Sequence, residues 1–325
     1  MKTMTNRTTE LGGWLSCELD LVSKTMSSHL LSGHCAINEV CGELSAYRGK
    51  MLRPSLVLLA WKTAGNGYQC PEGVVTMSAV VEMIHLATLI HDDVLDEADL
   101  RRGERTIHSL RGNEAAVMLG DYLLSSAFHL CSTVQDPSLN ILLGEVTSTV
   151  CGGEMMQLYH RNNVDLDIDT YYQIIRDKTA SLIAASCVVG GILAGASAQK
   201  LSALETFGSS VGIAFQIRDD VLDLLGEPSD TGKPAGVDLA KGKLTLPVIS
   251  MLRHNPDLKY RVQDAITNRD LVELRGLLES TGSMDFAIRE INRLVDLAVG
   301  SVEIAFSSDA SFELCGLVQK LKHEL

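Results

Sequence analysis

The sequence predicts an all-α protein. Of its 325 residues 46% are hydrophobic, enough to bury a large core, while only 7 are proline and 5% are aromatic. Abundant Ala, Leu, Ser and Glu favour helices over strands, and no stretch alternates apolar and polar residues over a useful length. No linker divides the chain, so one domain over residues 1–325 is expected, its helices packed around a single central cavity.

In chain order, Lys2 and Arg7 precede no continuous apolar run, since Glu10, Gly12, Gly13, Glu18 and Asp20 interrupt it; a cytoplasmic protein is expected. The apolar segment 80–90 ends in an acidic cluster. Asn113 can cap a helix from Glu114, and Asp136-Pro137 reads as an N-cap with proline at the first helical position. The uncharged stretch 180–198 is long enough to cross a bilayer, but its Ala, Ser and Gly content and its Gly190-Gly191 break suit a buried, tightly packed helix. Segment 211–217 is again apolar and again ends in an acidic cluster. Residues 226–243 hold four glycines, two prolines and three lysines, the composition of a flap that closes over a site. Thr281-Gly282-Ser283 ends one helix and starts another. Eight cysteines without a CxxC pair read as reduced thiols, mostly in the core.

The two acidic clusters share one design: Asp92-Asp93-Val94-Leu95-Asp96, followed by Arg101-Arg102-Gly103, and Asp219-Asp220-Val221-Leu222-Asp223. Residues three and four apart are neighbours on a helix, so like charges there cost roughly 0.2–0.5 kcal/mol per pair. One acidic turn on an acidic chain is an ordinary solvated face. Two matched turns, each closing an apolar segment, point to a cation that offsets the repulsion. Mg²⁺ suits them, being a hard ion usually held by one or two carboxylates plus substrate phosphates. The net charge of −13 argues against a nucleic-acid partner. Basic residues nevertheless gather near the clusters: Lys50, Arg53, Arg101, Arg102, Arg105, Lys178, Lys233, Lys241 and Lys243. His85 lies two helical turns before Asp92 and shares its face.

Further motifs accompany the aspartates in order. They are Gly49-Lys50-Met51-Leu52-Arg53-Pro54, Glu82 through His85, Gly120-Asp121, Gly153-Glu154 with Gln157, Lys178-Thr179, Phe215-Gln216, Gly232-Lys233 and Gly242-Lys243-Leu244-Thr245-Leu246-Pro247. On this set the chain resembles the trans-isoprenyl diphosphate synthases, the polyprenyl synthetase family, and its medium- and long-chain members in particular. It departs from the family where Arg48 replaces a second glycine, and the likeness thins beyond about residue 250.

The resemblance implies the isoprenoid synthase fold, with helices surrounding a central active-site cavity. It implies a Mg²⁺-dependent transferase that joins isopentenyl diphosphate head-to-tail (1′-4) to an allylic diphosphate, with three ions per site once diphosphate is bound. The allylic diphosphate would sit between the clusters through Mg²⁺ held by Asp92, Asp96 and Asp219, with Asp93, Asp220 and Asp223 as further ligands or supporting acceptors. Arg101, Lys178, Lys233 and Lys243 would neutralise it, and Thr179 and Gln216 would face the carbocation. Isopentenyl diphosphate would be held by Lys50, Arg53, His85 and Arg102. The family also implies a homodimer, with an interface around residues 113–160, and at most peripheral membrane contact for product release.

Product length follows from the residues before the first cluster. Thr88 and Ala87 lie four and five positions before Asp92, about 6–7.5 Å along the helix, and both are small. In the family, bulky aromatic residues there form a floor that stops growth, so their absence implies a product longer than C15, with C30 to C50 favoured. The missing two-residue insertion of the bacterial short-chain type points the same way. Met118, Phe128 and Met155 are candidates for a deeper floor. Alternatives are a geranylgeranyl or farnesyl diphosphate synthase, a class I terpene cyclase, whose second metal motif mixes other residues, and a non-catalytic synthase subunit, whose aspartates are usually degraded.

Overall fold

The computed structural model describes residues 2–47, 49–65, 69–225, 236–268 and 270–322. They form two compact units, Met1–Glu145 with Ala185–Leu204 and Val146–Ala184 with Glu205–Leu325. Among the described residues the structure is helical apart from one small hairpin.

The first unit contains α1 (Lys2–Leu30), α2 (Cys35–Gly42), a 3-10 turn (Glu43–Tyr47), α3 (Leu52–Ala64), α4 (Glu72–Leu95), α5 (Ile107–Arg111) and α6 (Asn113–Ser132). Helix α4 is its centre. Every residue from 74 to 84 is buried, as befits a helix that is apolar all round, and it packs on α1, α3 and α6. Each large aliphatic side chain so buried contributes about 1.5–3 kcal/mol. Its polar interruptions are satisfied locally: the Ser78 hydroxyl donates to the Val74 carbonyl at 2.8 Å. Glu72 stands in the first turn, where the helix dipole favours an acid. Among the described residues α4 is the one helix long and apolar enough to cross a membrane, and 78% of that stretch is buried, which marks a core helix.

Helices α7 (Pro137–Tyr159), α9 (Ser181–Leu193) and α10 (Ala198–Leu225) each have residues in both units. Within the 180–198 stretch, Ser181–Leu193 forms a largely buried helix as expected, while 194–197 form a turn; Gly190-Gly191 does not break the helix. A Cβ on Gly190 would lie 2.3 Å from the Val57 carbonyl oxygen, so this glycine lets α9 lie directly on the α3 backbone. The chain turns instead at Gly195, where φ is +68°. Asp136 caps α7, accepting from the Ser138 amide at 3.0 Å. Asn113 is not a cap: α6 already includes it, and its N-cap position is Gly112.

The second unit adds α8 (Ile168–Ile175), a π-helical turn (Arg176–Ala180), α11 (Val237–Ala240), α12 (Leu246–His254), α13 (Lys259–Asn268), α14 (Leu271–Ser280), α15 (Ser283–Ala305) and α16 (Ser308–Gln319). Its core joins Ile217, Val221 and Leu224 of α10 to Leu246 and Met251 of α12 and Ile291 and Val295 of α15. Gly208 and Gly212 allow α10 to touch the backbone of Ala184 and Ala180, where a Cβ would come within 2.5 Å. The predicted break at Thr281-Gly282-Ser283 is there, with Gly282 at φ +66° between α14 and α15. All eight cysteines are free, but only Cys131, Cys187 and Cys315 are buried. The expectation of a mostly core set is corrected: Cys17, Cys35 and Cys151 lie on exposed helix faces.

Candidate active site

Each aspartate motif ends a long helix, the first at the C-terminus of α4 and the second in the last two turns of α10. The C-terminal end of a helix carries partial negative charge, so acids there are disfavoured by about 0.3–1 kcal/mol each. Three carboxylates at each such end therefore call for a counter-cation. The two motifs belong to different units.

In the first motif Asp92 and Asp96 are half-buried, whereas Asp93 is 1% exposed. Asp93 accepts the Tyr47 hydroxyl at 2.7 Å and two arms of the Arg101 guanidinium, Nε at 3.0 Å and Nη2 at 2.7 Å. Tyr47 also accepts from the Ile107 amide at 3.2 Å, and so pins the start of α5. Arg101 and Arg102 reach this place on a two-stranded hairpin, Leu100–Arg101 against Glu104–Arg105. Its turn residues Arg102 and Gly103 have φ of +53° and +81°, the double positive φ that two-residue hairpins require. Arg105, in contrast, is tied to Ser109 at 3.0 and 2.5 Å.

Arg102 lies over Gly49, where a Cβ would stand 2.9 Å from the guanidinium. The absence of a side chain at Gly49 leaves room for the Arg102 guanidinium beside the Lys50 loop. Arg53, Glu82, His85 and Arg102 are close enough to perturb one another. Burial pulls the Arg53 guanidinium down to about 10 against the pull of Glu82. Burial raises Glu82, opposed by Arg53 and Arg102, and one of its carboxylate oxygens has no partner. Burial, then Arg53, Arg101 and Arg102, press His85 well below the usual histidine value, so it offers a hydrogen bond rather than a charge. A cavity of about 170 Å³ adjoins them, lined by Gly49, Met51, Glu82 and Leu86 with Ser23 and Met26. Lys50 is exposed. Ala87 is fully buried and Thr88 half-buried, its hydroxyl turned to the His85 carbonyl at 2.7 Å. Met118 and Met155 are 64% and 70% exposed on this chain, so they do not close an interior floor; Phe128 is half-buried.

In the second motif Asp219 is exposed and Asp220 is 4% exposed. Asp220 accepts the Tyr171 hydroxyl at 2.6 Å and the Gln216 amide at 2.9 Å. Gln216 in turn accepts from the Thr179 hydroxyl at 2.9 Å, which fixes its amide orientation and links the motif to the π-helical turn. Burial, then Asp238, push Asp220 up to about 8. Asp223 accepts from the Val237 and Asp238 amides at 3.1 and 3.2 Å and so fastens α11. Lys178, on the π-helical turn, donates to Gln157 at 2.8 Å and pairs with Glu154. Gly153 makes that approach possible, since a Cβ there would meet the Lys178 amide nitrogen at 2.5 Å. Lys243 is half-buried, and its amide donates to the Asp238 carbonyl at 2.9 Å. Lys233, Arg48 and the 226–235 part of the expected flap lie outside the described residues. A larger cavity of about 440 Å³ in this unit, lined by residues such as Ile168, Ile249, Arg253 and Lys259, contains none of the expected site residues.

The residues that sequence reasoning missed are Tyr47 and Tyr171. Tyr171 lies two helical turns before Lys178, a spacing that could have found it; Tyr47 left no comparable signal. Oxygen donors at the negative ends of two helices suit Mg²⁺. Among the described residues no three His, Cys, Asp or Glu side chains converge.

Comparisons with known proteins show the chain's family and fold. The profile of the polyprenyl synthetase family matches residues 34–276. The chain is 39% identical over 272 residues to heptaprenyl diphosphate synthase component 2 of Geobacillus stearothermophilus, covering 84% of each chain. A crystal structure of a decaprenyl diphosphate synthase from Rhodobacter capsulatus superposes with a TM-score of 0.86 at 32% identity, covering 97% of this chain and 98% of that one. A polyprenyl synthase from Caulobacter crescentus CB15, complexed with calcium and isoprenyl diphosphate, superposes with a TM-score of 0.86 at 30% identity over 94% of each chain.

Proposed function

The chain belongs to the polyprenyl synthetase family, and on that premise we propose that its aspartate motifs use Mg²⁺ to release diphosphate from an allylic substrate. It has the all-α isoprenoid synthase fold and is a trans-prenyltransferase that extends an allylic diphosphate with isopentenyl diphosphate to a long polyprenyl diphosphate. One observation carries the metal reading. In each motif the second aspartate is buried and bonded to a tyrosine, while the first stands more open at the negative end of its helix.

Asp92, Asp96 and Asp219 are the metal-holding carboxylates, and Asp93, Asp220 and Asp223 support them. Bound magnesium supplies Lewis-acid neutralisation of the leaving diphosphate. Arg101 keeps one guanidinium arm beyond its Asp93 contacts and, with Lys178, Lys233 and Lys243, draws charge from the bridging oxygen. The allylic C–O bond then breaks to give a carbocation and pyrophosphate. Lys50, Arg53, His85 and Arg102 hold isopentenyl diphosphate, with arginine suited to bidentate phosphate contact. Its double bond attacks the cation, and the new cation loses a proton to pyrophosphate. Thr179 and Gln216, bonded to each other, border the carbocation, and the 226–243 segment excludes water.

Purified chain incubated with Mg²⁺, labelled isopentenyl diphosphate and farnesyl diphosphate should yield products of C30 to C50. Accumulation of C20 alone would overturn the long-chain assignment, and no elongation either alone or with an added second component would overturn the reading. Ala87→Phe should shift the product distribution downwards.

A single domain, a cytoplasmic location and a homodimer complete the proposal. Exposed Val117, Met118 and Ile141 supply apolar surface within the 113–160 interface. Size-exclusion chromatography with light scattering tests the dimer; activity only after addition of a second component would favour a heteromer, as the name of the Geobacillus relative suggests for that enzyme.

A further inference from the structure

The two motifs share a device that lies outside their own sequences. Tyr47 and Tyr171 are 1% and 3% exposed. Each points its hydroxyl at the second aspartate of a motif, Tyr47 at Asp93 and Tyr171 at Asp220, at 2.7 and 2.6 Å. They come from different local structures, a 3-10 turn and helix α8, and each serves a different unit. Both aspartates receive a second donor on the other side, Arg101 or Gln216. A carboxylate held from two sides cannot rotate, and a fixed second aspartate sets the rotation of the helix end that carries the first aspartate.

We infer that Tyr47 and Tyr171 are positioning residues for metal binding, each locking the helix end that presents the outer carboxylates of its motif. This rests on the metal reading above. A tyrosine hydroxyl suits the task because it donates to the second aspartate while its ring is fixed in the core. Tyr47 ties the lock to α5 as well, through the Ile107 amide, whereas the Tyr171 lock reaches the Lys178-Thr179 turn through Gln216. In this way each tyrosine couples its aspartates to a cationic side chain of the same unit, Arg101 in one and Lys178 in the other.

The test is Tyr47→Phe and Tyr171→Phe, which keep the ring and delete the hydroxyl, with Tyr172→Phe as control. Tyr172 also donates to a carboxylate, Glu290 at 3.2 Å, but that carboxylate belongs to neither motif. Loss of one hydrogen bond to a buried carboxyl corresponds to up to about a tenfold change. The Mg²⁺ concentration for half-maximal rate should therefore rise by up to about tenfold in each of the first two variants. The KM for isopentenyl diphosphate should stay within about twofold, and the control should match the parent. Lower Tm with unchanged Mg²⁺ dependence would reduce the hydroxyls to a structural role and overturn the inference, as would failure of both variants to fold. If only one folds, it decides alone, because the locks lie in separate units. Asp92→Ala and Asp219→Ala separate the two levels of argument. If they keep parental turnover, the metal reading itself falls; if they abolish it while the Phe variants titrate normally, only the positioning role falls.

Discussion

The two aspartate motifs have the same five-residue pattern but opposite electrostatic settings. Asp93 is held by a tyrosine and a bidentate guanidinium, so its charge is matched on the spot. Asp220 is held by a tyrosine and a neutral amide, and burial with Asp238 nearby pushes it up to about 8. The difference teaches that the inner aspartate of the first motif has its cation already in place, while that of the second is held by neutral donors.

The comparison can be broken in several ways, from the largest effect to the smallest. Asp92→Ala and Asp219→Ala should each lower kcat by about 10²–10³-fold, as removal of a group that stabilises developing charge does. A large drop in Tm would mean that the outer aspartates are structural.

Arg101→Ala leaves a buried Asp93 without its cation and should cost about 3–5 kcal/mol in chemical denaturation. Gln216→Ala removes only a neutral donor from Asp220 and should cost about 1–3 kcal/mol. Equal losses would erase the distinction between the motifs.

His85 provides a pH test in the first unit. Its folded value lies well below the ordinary 6.5 because burial and three arginines oppose its charging. A group depressed in this way contributes stability above its unfolded value and loses it as pH falls towards the folded value. The Tm should decline on acidification below 6.5, and His85→Gln should flatten that decline. An identical slope in the variant would assign the acid sensitivity to other groups.

Much of the fold was legible because helices announce themselves locally. The apolar runs before each motif, the Asp136 cap and the Gly282 break all depend on neighbours within a turn or two. Gly190-Gly191 was misread because its role depends on a distant partner: Gly190 marks contact with the α3 backbone rather than a break. Asn113 was misread by one residue, since α6 begins at it rather than after it. The site residues were legible as chemical types at motif spacing, yet the burial of Asp93 and Asp220 was not, since all three aspartates of a motif look alike in the sequence.

By itself the sequence determined the helical class, the paired carboxylate motifs and the family, because periodicity, charge and motif order are properties of a one-dimensional string. Only the tertiary structure decided which aspartate of each motif turns inward and which tyrosine meets it. Tyr47 and Asp93 are 46 residues apart and Tyr171 and Asp220 are 49 apart, so their contact exists only once the helices between them have packed.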